Sequence, residues 1–129
     1  MRNYQILFLS DANRITIAYC GKVYYRTLLQ SLEDLLSITL LSRVQIILDF
    51  RETTDLIVSY RQIMNFHLAL NALFSKKTIR KMAIINTQNA TIHNNFCSPN
   101  QLLERDMLKY DMRAFNAEET VDAFKWLVL

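Results

Sequence analysis

A near absence of glycine and proline constrains this chain more than any other feature of its sequence. Among 129 residues there is one glycine, Gly21, and one proline, Pro99, where average usage would give roughly nine and six. A phosphate-binding P-loop and a dinucleotide-binding fingerprint each need several glycines, so both are excluded. Sandwiches, barrels and propellers rely on many tight turns, which favour the same two residues. The scarcity therefore favours helices and strands joined by short polar loops.

The first part of the chain predicts a hairpin followed by a helix. Residues 4–9 and 14–20 are short runs of strand-forming residues separated by the polar turn 10–13. Gly21 is predicted to end the second strand. The apolar residues then recur at spacings of three and four, which is typical of an amphipathic helix. Their positions are Tyr25, Leu28, Leu29, Leu32, Leu35 and Leu36.

The middle of the chain alternates strand-like and helix-like patterns. Continuous apolar runs are typical of strands buried on both faces, and spacings of three and four indicate helices. The predicted elements in chain order are a strand at 44–50, a polar loop at 51–55, a helix at 59–74, a strand at 81–86 and a strand at 111–115.

Three further segments complete the predicted fold. The Asn-rich stretch 87–98 predicts one weak helix or a turn, and Pro99 predicts the start of a helix that runs to about residue 109. The closing helix is predicted to turn Val121, Phe124 and Val128 inward. We therefore predict an α/β fold in a single domain spanning 1–129. Its mixed sheet of five strands opens with an antiparallel hairpin and continues with parallel strands, together with four or five helices.

Charge, cysteines and hydropathy argue against several classes of protein. A net charge of +3 is too small for a typical nucleic-acid-binding domain, and the basic cluster at 76–81 fits a solvated loop. Cys20 and Cys97 match no metal or redox spacing and predict reduced thiols. No segment reaches the roughly 20 apolar residues of a membrane span, and the apolar run near Met1 is too short for a signal peptide. We expect a cytoplasmic protein with no nucleic-acid partner and no integral membrane segment.

Segments spread over nearly the whole chain resemble STAS-like domains, and in particular their SpoIIAA-like branch. The resemblance rests on Leu48-Asp49-Phe50-Arg51 with its threonine-bearing continuation, on Ser59 at a helix start, and on the segments 15–17, 73–77, 80–85, 113–115 and 123–127. It implies a non-enzymatic regulatory or protein-interaction module with a protein partner and no cofactor. It also implies that Ser59 stands where anti-sigma-factor antagonists carry a phosphorylated serine.

The predicted interaction face follows the strand that carries this resemblance. Ligands of open α/β sheets bind beyond the carboxyl ends of the strands, although loops are polar for general reasons as well. The residues of the face are Arg51, Thr53, Thr54, Asp55, Ser59 and Tyr60. The family pattern places glycine after the serine, whereas Tyr60 follows Ser59 here. We therefore favour an N-cap role for Ser59 over a phosphorylation switch.

A carrier or sensor of a small apolar, lipid-like ligand is the main alternative function. It requires a cavity between sheet and helices, for which Phe66, Leu70 and Phe74 are the candidate lining residues. Tyr24 and Tyr25 are adjacent at a helix start, so at least one is expected to face outward as a candidate interface anchor. A second copy of the chain is a further candidate partner.

Catalytic and metal-binding constellations are weak in this sequence. His93 and Cys97 provide fewer ligands than a zinc site takes, so no metal is predicted. A triad of Ser59, His67 and Asp49 lacks the Gly-x-Ser-x-Gly motif of such hydrolases. Asp49 is more simply interpreted as the partner of Arg51 in a structural pair at the strand end. We expect that the chain is not an enzyme.

Overall fold

The computed structural model describes residues 3–9, 13–36, 44–74, 79–85 and 111–128. The strands span Tyr4–Leu9 (β1), Arg14–Tyr24 (β2), Val44–Ile57 (β3), Ile79–Ile85 (β4) and Asp111–Phe115 (β5). The helices span Tyr25–Leu36 (α1), Tyr60–Phe74 (α2) and Thr120–Leu127 (α3), and a 3-10 turn at Ala117–Glu119 precedes α3. The strands form one sheet in the order β1-β2-β3-β4-β5. β1 pairs with β2 in antiparallel fashion, and the other neighbouring strands are parallel.

Side chains alternate between two faces of the sheet, and each face has its own helices. On the two-helix face, α1 and α2 pack on a cluster that includes Ile15, Ile17, Ile46, Leu48, Met82 and Ile84. On the one-helix face, α3 packs on a smaller cluster that includes Ile47, Ala83, Ile85 and Phe115. The central strands β3 and β4 are therefore buried on both sides, which explains their nearly continuous apolar sequences.

Apolar stripes hold α1 and α2 on the sheet. The buried side chains are Leu28, Leu32 and Leu35 on α1 and Ile63, Phe66 and Leu70 on α2. Full burial of a side chain of this size contributes roughly 1.5–3 kcal/mol. Both stripes follow the three- and four-residue spacing of the sequence, so the predicted positions of these two helices are confirmed.

The predicted class of fold is confirmed, with one correction in the number of helices. The sheet is mixed, has five strands and begins with an antiparallel hairpin. Four or five helices are predicted, whereas the described residues contain three α-helices. The segments 87–98 and 99–109, for which additional helices are predicted, lie outside the described residues. None of the three described helices has the length and apolar character needed to cross a membrane.

Two strands run further than the sequence predicts. β2 does not end at Gly21 but continues to Tyr24. β3 does not end at Phe50 but continues to Ile57, through the segment 51–55 that is predicted to be a loop. A polar sequence is compatible with a strand here because most side chains of this segment are exposed to solvent. The interaction face predicted on a loop is thus carried by paired strands.

Gly21 lies inside β2, at one of two points where the pairing of β2 with β3 shifts register. Its φ is +67°, a left-handed backbone conformation that costs other residues roughly 1–2 kcal/mol. A Cβ added at this position would meet no atom within 4 Å. Any cost of substitution therefore arises from the backbone, not from a steric clash.

We expect Gly21→Ala to lower the free energy of unfolding by about 1 kcal/mol. Gly21→Val should cost more, because a β-branched residue at positive φ is strongly disfavoured. Gly21→Asn is the matched control, since asparagine tolerates the left-handed region better. Chemical denaturation of the three variants measures the order of their stabilities. If valine were tolerated as well as asparagine, the positive φ would not be needed for folding.

The closing helix is rotated relative to the prediction. Val121, Phe124 and Val128 are exposed, and the buried residues of α3 are Ala123 and Leu127. The prediction that the first three face inward is therefore wrong. The two sets share nearly the same helical spacing, so contacts with the sheet decide which of them is buried.

Polar side chains of the sheet fix the C-terminal end of α3. Lys81 Nζ donates a hydrogen bond to the Trp126 carbonyl at 2.9 Å, and Gln45 Nε2 donates to the Leu127 carbonyl. Lys81 Nζ also lies 5.1 Å from the centre of the Trp126 ring. The last carbonyls of a helix have no partner within the helix, and a cation near them also complements the helix dipole. These contacts hold the helix in its observed rotation.

Candidate functional site

The extended ends of β2 and β3 form a two-stranded parallel ribbon beyond the rest of the sheet. The last pair between β3 and β4 is Asp49 with Ile85, and the last pair between β1 and β2 is Tyr4 with Tyr19. Residues 20–24 and 52–57, here called the terminal ribbon, pair with each other past these points. The pairing of β2 with β3 shifts register at two points near the start of this ribbon, between Ala18 and Cys20 and between Gly21 and Lys22. Irregularities such as β-bulges are common next to functional sites, where they redirect side chains. The ribbon leads directly into the first turn of α2.

The structure separates the predicted interaction residues into exposed and buried members. Arg51, Thr54 and Asp55 are exposed on β3. Thr53 is buried, and its Oγ1 donates a hydrogen bond to the Tyr19 carbonyl at 3.3 Å. Thr53 therefore joins the ribbon to the core and does not contribute to the surface.

Three large apolar side chains are exposed at the terminal ribbon and the adjoining helix start. Tyr24, Ile57 and Tyr60 are each 46% exposed. Tyr24 and Ile57 are direct partners in the pairing of β2 with β3, and Tyr60 is the first residue of α2. Of the adjacent Tyr24 and Tyr25, at least one is expected to face outward. This is confirmed, because Tyr24 is exposed whereas Tyr25 is partly buried. Sequence reasoning missed Ile57, whose exposure follows from the strand extension.

Asp49 and Arg51 form a well-defined ion pair at the base of the ribbon. Arg51 Nη2 lies 2.7 Å from Asp49 Oδ2, Arg51 Nε lies 3.0 Å from Oδ1, and the Arg51 backbone N–H donates to Oδ1 at 3.0 Å. Hydrogen bonding to Asp49 raises the pKa of the Arg51 guanidinium above its ordinary value. The predicted pairing of Asp49 with Arg51 is confirmed by this bidentate geometry. Its predicted place at a strand end is wrong, because β3 continues to Ile57.

Ser59 caps α2 through a reciprocal capping box. Its Oγ accepts a hydrogen bond from the Gln62 backbone N–H at 3.1 Å, and Gln62 Oε1 accepts one from the Ser59 backbone N–H at 2.9 Å. This is the arrangement of a serine N-cap with glutamine three residues later. The predicted capping role of Ser59 is confirmed. Tyr60 is thereby held at a fixed place beside the ribbon.

We expect Ser59→Ala to lower the free energy of unfolding by about 1 kcal/mol, because the Gln62 backbone N–H loses its acceptor, Ser59 Oγ. Ser59→Asp should retain most of the stability, since aspartate is an equally good N-cap and its charge suits a helix N-terminus. Thermal and chemical denaturation measure both variants. An alanine variant as stable as the aspartate variant would contradict the capping role.

A buried tyrosine, Tyr19, lies in the core beside the start of the ribbon. The Tyr19 ring stacks on the Phe50 ring, with centroids 4.8 Å apart and planes 9° from parallel. The Tyr19 hydroxyl lies 2.8 Å from Ser31 Oγ, which itself donates to the Leu28 carbonyl at 2.6 Å. Tyr19 is thus the donor to Ser31. Burial raises the pKa of Tyr19 above its ordinary value, so this donor keeps its proton at neutral pH.

Two of the three candidate lining residues of a ligand cavity are part of the core. Phe66 and Leu70 are fully buried and belong to the cluster between α2 and the sheet. The side chain of Phe74, the third candidate, lies outside the described residues. Cys20 is an exposed free thiol, whereas Cys97 and His93 also lie outside the described residues.

The structure does not bring the residues of the hypothetical catalytic triad together. Asp49 pairs with Arg51, and Ser59 bonds within the capping box. His67 is fully buried and lies eight residues further along α2, which corresponds to about 12 Å of helix. Among the residues that the structure describes, no three His, Cys, Asp or Glu side chains converge in a metal-binding group.

Comparison with known proteins gives information on the fold alone. The sequence matches no family model and no curated protein. Among solved structures it is similar to an uncharacterised protein of the DUF3478 family from Shewanella loihica PV-4, which is described as having a SpoIIAA-like fold. The two share 20% sequence identity with a TM-score of 0.56, and the match covers 96% of this chain and 91% of that one. The SpoIIAA-like fold implied by the sequence resemblance is thereby confirmed.

Proposed function

We propose that the chain is a non-enzymatic regulatory module that binds a protein partner through the terminal ribbon and the adjoining start of α2. The observation that carries the proposal is the set of three exposed apolar side chains Tyr24, Ile57 and Tyr60. Exposed aromatic residues are the side chains that most often supply binding energy in protein interfaces. The likeness to a SpoIIAA-like structure agrees with this proposal but does not identify the partner.

The surroundings of these side chains support an interface with an apolar centre and a polar rim. Lys22 and Asp55 are direct partners two residues before Tyr24 and Ile57 in the ribbon, and Thr54, next to Asp55, is exposed. A central apolar cluster inside a polar, solvated rim is the usual anatomy of a transient protein interface. The rim would set the orientation of the partner, and the apolar centre would provide most of the affinity.

The ribbon is rigidly held, which favours recognition without rearrangement. The Ser59–Gln62 capping box fixes the start of α2. Thr53 bonds the ribbon to the Tyr19 carbonyl, and the Tyr24 backbone N–H donates to Thr27 Oγ1 at 3.4 Å. Binding to a preorganised surface loses less conformational entropy than binding to a mobile loop.

Site-specific photo-crosslinking in cells of the source organism tests the proposal. A benzoylphenylalanine placed at Tyr60 is expected to form a defined covalent adduct with one protein. Phe8 is the matched control, because it is an exposed aromatic residue paired with Ile15, about 30 Å along β2 from Tyr24. An identical adduct pattern at both positions, or none at Tyr60, would contradict the proposed surface. Recovery of a lipid with the unmodified protein would instead favour the carrier alternative.

A further inference from the structure

Two residues of β1 are apolar where a solvated hairpin would carry polar side chains. Tyr4 and Ile6 pack in the core of the two-helix face, so Leu7 and Leu9 alternate with that set, and Leu9 faces the opposite side of the sheet together with Leu7. They are 49% and 55% exposed. An antiparallel sheet with one solvated face normally alternates apolar and polar residues. Leu7 and Leu9 depart from this alternation without contributing to the core.

The outer side of α3 carries a second group of exposed apolar residues. Val121, Phe124 and Val128 follow one another at spacings of three and four, so they share one side of the helix. They are 64%, 38% and 69% exposed. Ala123 and Leu127 pack the opposite side of α3 on the sheet. The exposed side is therefore held in an outward orientation.

Arg14 connects these two groups. Leu9 and Arg14 are direct partners in the pairing of β1 with β2, and the Arg14 guanidinium lies 5.0 Å from the centre of the Phe124 ring. The apolar residues of both groups are five of the nine large hydrophobic side chains exposed in the described part of the chain, so exposure is concentrated here. We call them the apolar patch, which consists of Leu7, Leu9, Val121, Phe124 and Val128.

The charged side chains at the edges of this patch are cations. Lys125 is exposed and lies four residues after Val121 and three before Val128, which places it beside both on the helix surface. Arg14 lies at the other edge. Asp122 is about 100° further round the helix than Val121, beyond Lys125. Neither cation forms an ion pair with a carboxylate of the described residues, so both charges are open to an anionic partner.

The composition of the patch favours a lipid surface over a protein. Four of its five residues are leucine or valine, which are under-represented among the residues that dominate protein interfaces, whereas tyrosine is enriched there. The terminal ribbon, with Tyr24 and Tyr60, has the protein type of composition. Aliphatic side chains beside lysine and arginine are typical of helices that lie on a membrane, where the cations reach anionic headgroups.

We propose that the apolar patch binds the surface of an anionic lipid bilayer. Val121, Phe124 and Val128 enter the boundary between headgroups and acyl chains, and Arg14 and Lys125 contact the lipid phosphates. A helix in this position lies in the plane of the membrane surface and does not cross it. The inference goes beyond the proposed function and is independent of it, because the partner surface is formed by other residues.

Co-sedimentation of the purified full chain with sucrose-loaded vesicles tests this inference. Binding to phosphatidylcholine vesicles with roughly 30% phosphatidylserine is expected to exceed binding to phosphatidylcholine alone at least roughly 10-fold, because two cations lie at the patch. The double variant Val121→Asp/Val128→Asp should lower the partition coefficient at least roughly 10-fold, because carboxylates replace side chains that contact acyl chains.

Gln30→Glu/Asn65→Asp is the matched control. It adds the same two negative charges at exposed positions of α1 and α2, on the other side of the sheet, and leaves the patch intact. Its partition coefficient should stay within about twofold of the wild type, since distant exposed charges are screened by salt. Circular dichroism of both variants verifies that a loss of binding is not a loss of the fold.

Four results would overturn the proposal. A wild-type chain that stays in the supernatant at all lipid concentrations would show that the patch binds no bilayer. An equal loss in the control would assign binding to net charge alone, and equal binding to uncharged vesicles would remove the role of the cations. Without lipid, a dimer that the patch variant abolishes would show that a second copy covers the patch. Crosslinking at Tyr60 is measured separately, so none of these results removes the proposed partner surface.

Discussion

Replacing Phe66 by alanine is expected to lower the free energy of unfolding by about 4 kcal/mol. Phe66 has no solvent exposure and lies in the core cluster between α2 and the sheet. Truncation of a buried phenylalanine removes its burial energy and leaves a cavity, with a usual total cost of 3–5 kcal/mol. Urea denaturation measures the difference in the free energy of unfolding between wild type and variant, with one m-value fitted to all proteins.

Phe124→Ala is the matched control for this experiment. The same group is removed, but Phe124 is partly exposed on α3, so we expect a loss of about 1 kcal/mol. The comparison also bears on the carrier alternative. If Phe66 lined a ligand cavity, Phe66→Ala would change the affinity for a lipid while costing little stability, which is the opposite of the result expected here.

Lowering the pH from 7 to 5 is expected to cost about 2 kcal/mol of stability through His67 alone. Burial lowers the pKa of His67 from its ordinary value of 6.5 to about 4 in the folded chain. Between these values the unfolded chain binds a proton that the folded chain does not, so stability falls as the pH falls. The loss begins near pH 6.5 and is complete below about pH 4, where it reaches roughly 3 kcal/mol.

His67→Leu isolates this contribution from the other titrating groups. The free energy of unfolding is measured at pH 7 and pH 5 for both proteins, and the difference between the two changes is assigned to His67. Any constant effect of the substitution on packing cancels in this comparison. Equal pH dependence of the wild type and the variant would show that His67 titrates normally and is not held neutral by burial.

The sequence predicts the fold class because the spacing of its apolar residues distinguishes strands from helices. Continuous runs such as 44–50 mark strands buried on both faces, and the stripes of α1 and α2 carry the three- and four-residue spacing. The spacing of apolar residues in α3 does not determine which face of this helix turns towards the sheet. The observed orientation depends on Lys81 and Gln45, which lie 45 and 82 residues away from the carbonyls they contact.

The sequence predicts where along the chain the candidate interaction residues lie, but not the secondary structure that carries them. Arg51, Asp55, Ser59 and Tyr60 are correctly grouped near the carboxyl end of the central strand. Their backbone is a strand and not a loop, because pairing with β2 continues past Gly21. No local pattern indicates this pairing, since the segment 51–55 is polar and β-propensity depends strongly on tertiary context. The exposure of Ile57 and the burial of Thr53 follow from the same pairing.

The affinity of the crosslinked partner for ribbon variants tests the proposed function most directly. Calorimetry with the wild type, with Tyr24→Ala/Tyr60→Ala and with the control Phe8→Ala measures three dissociation constants. We predict that the ribbon variant binds at least about 30-fold more weakly, as loss of a central aromatic hot spot requires, whereas the control binds within about twofold of the wild type. Wild-type affinity of the ribbon variant, or an equal loss in the control, would contradict a docking surface at Tyr24, Ile57 and Tyr60.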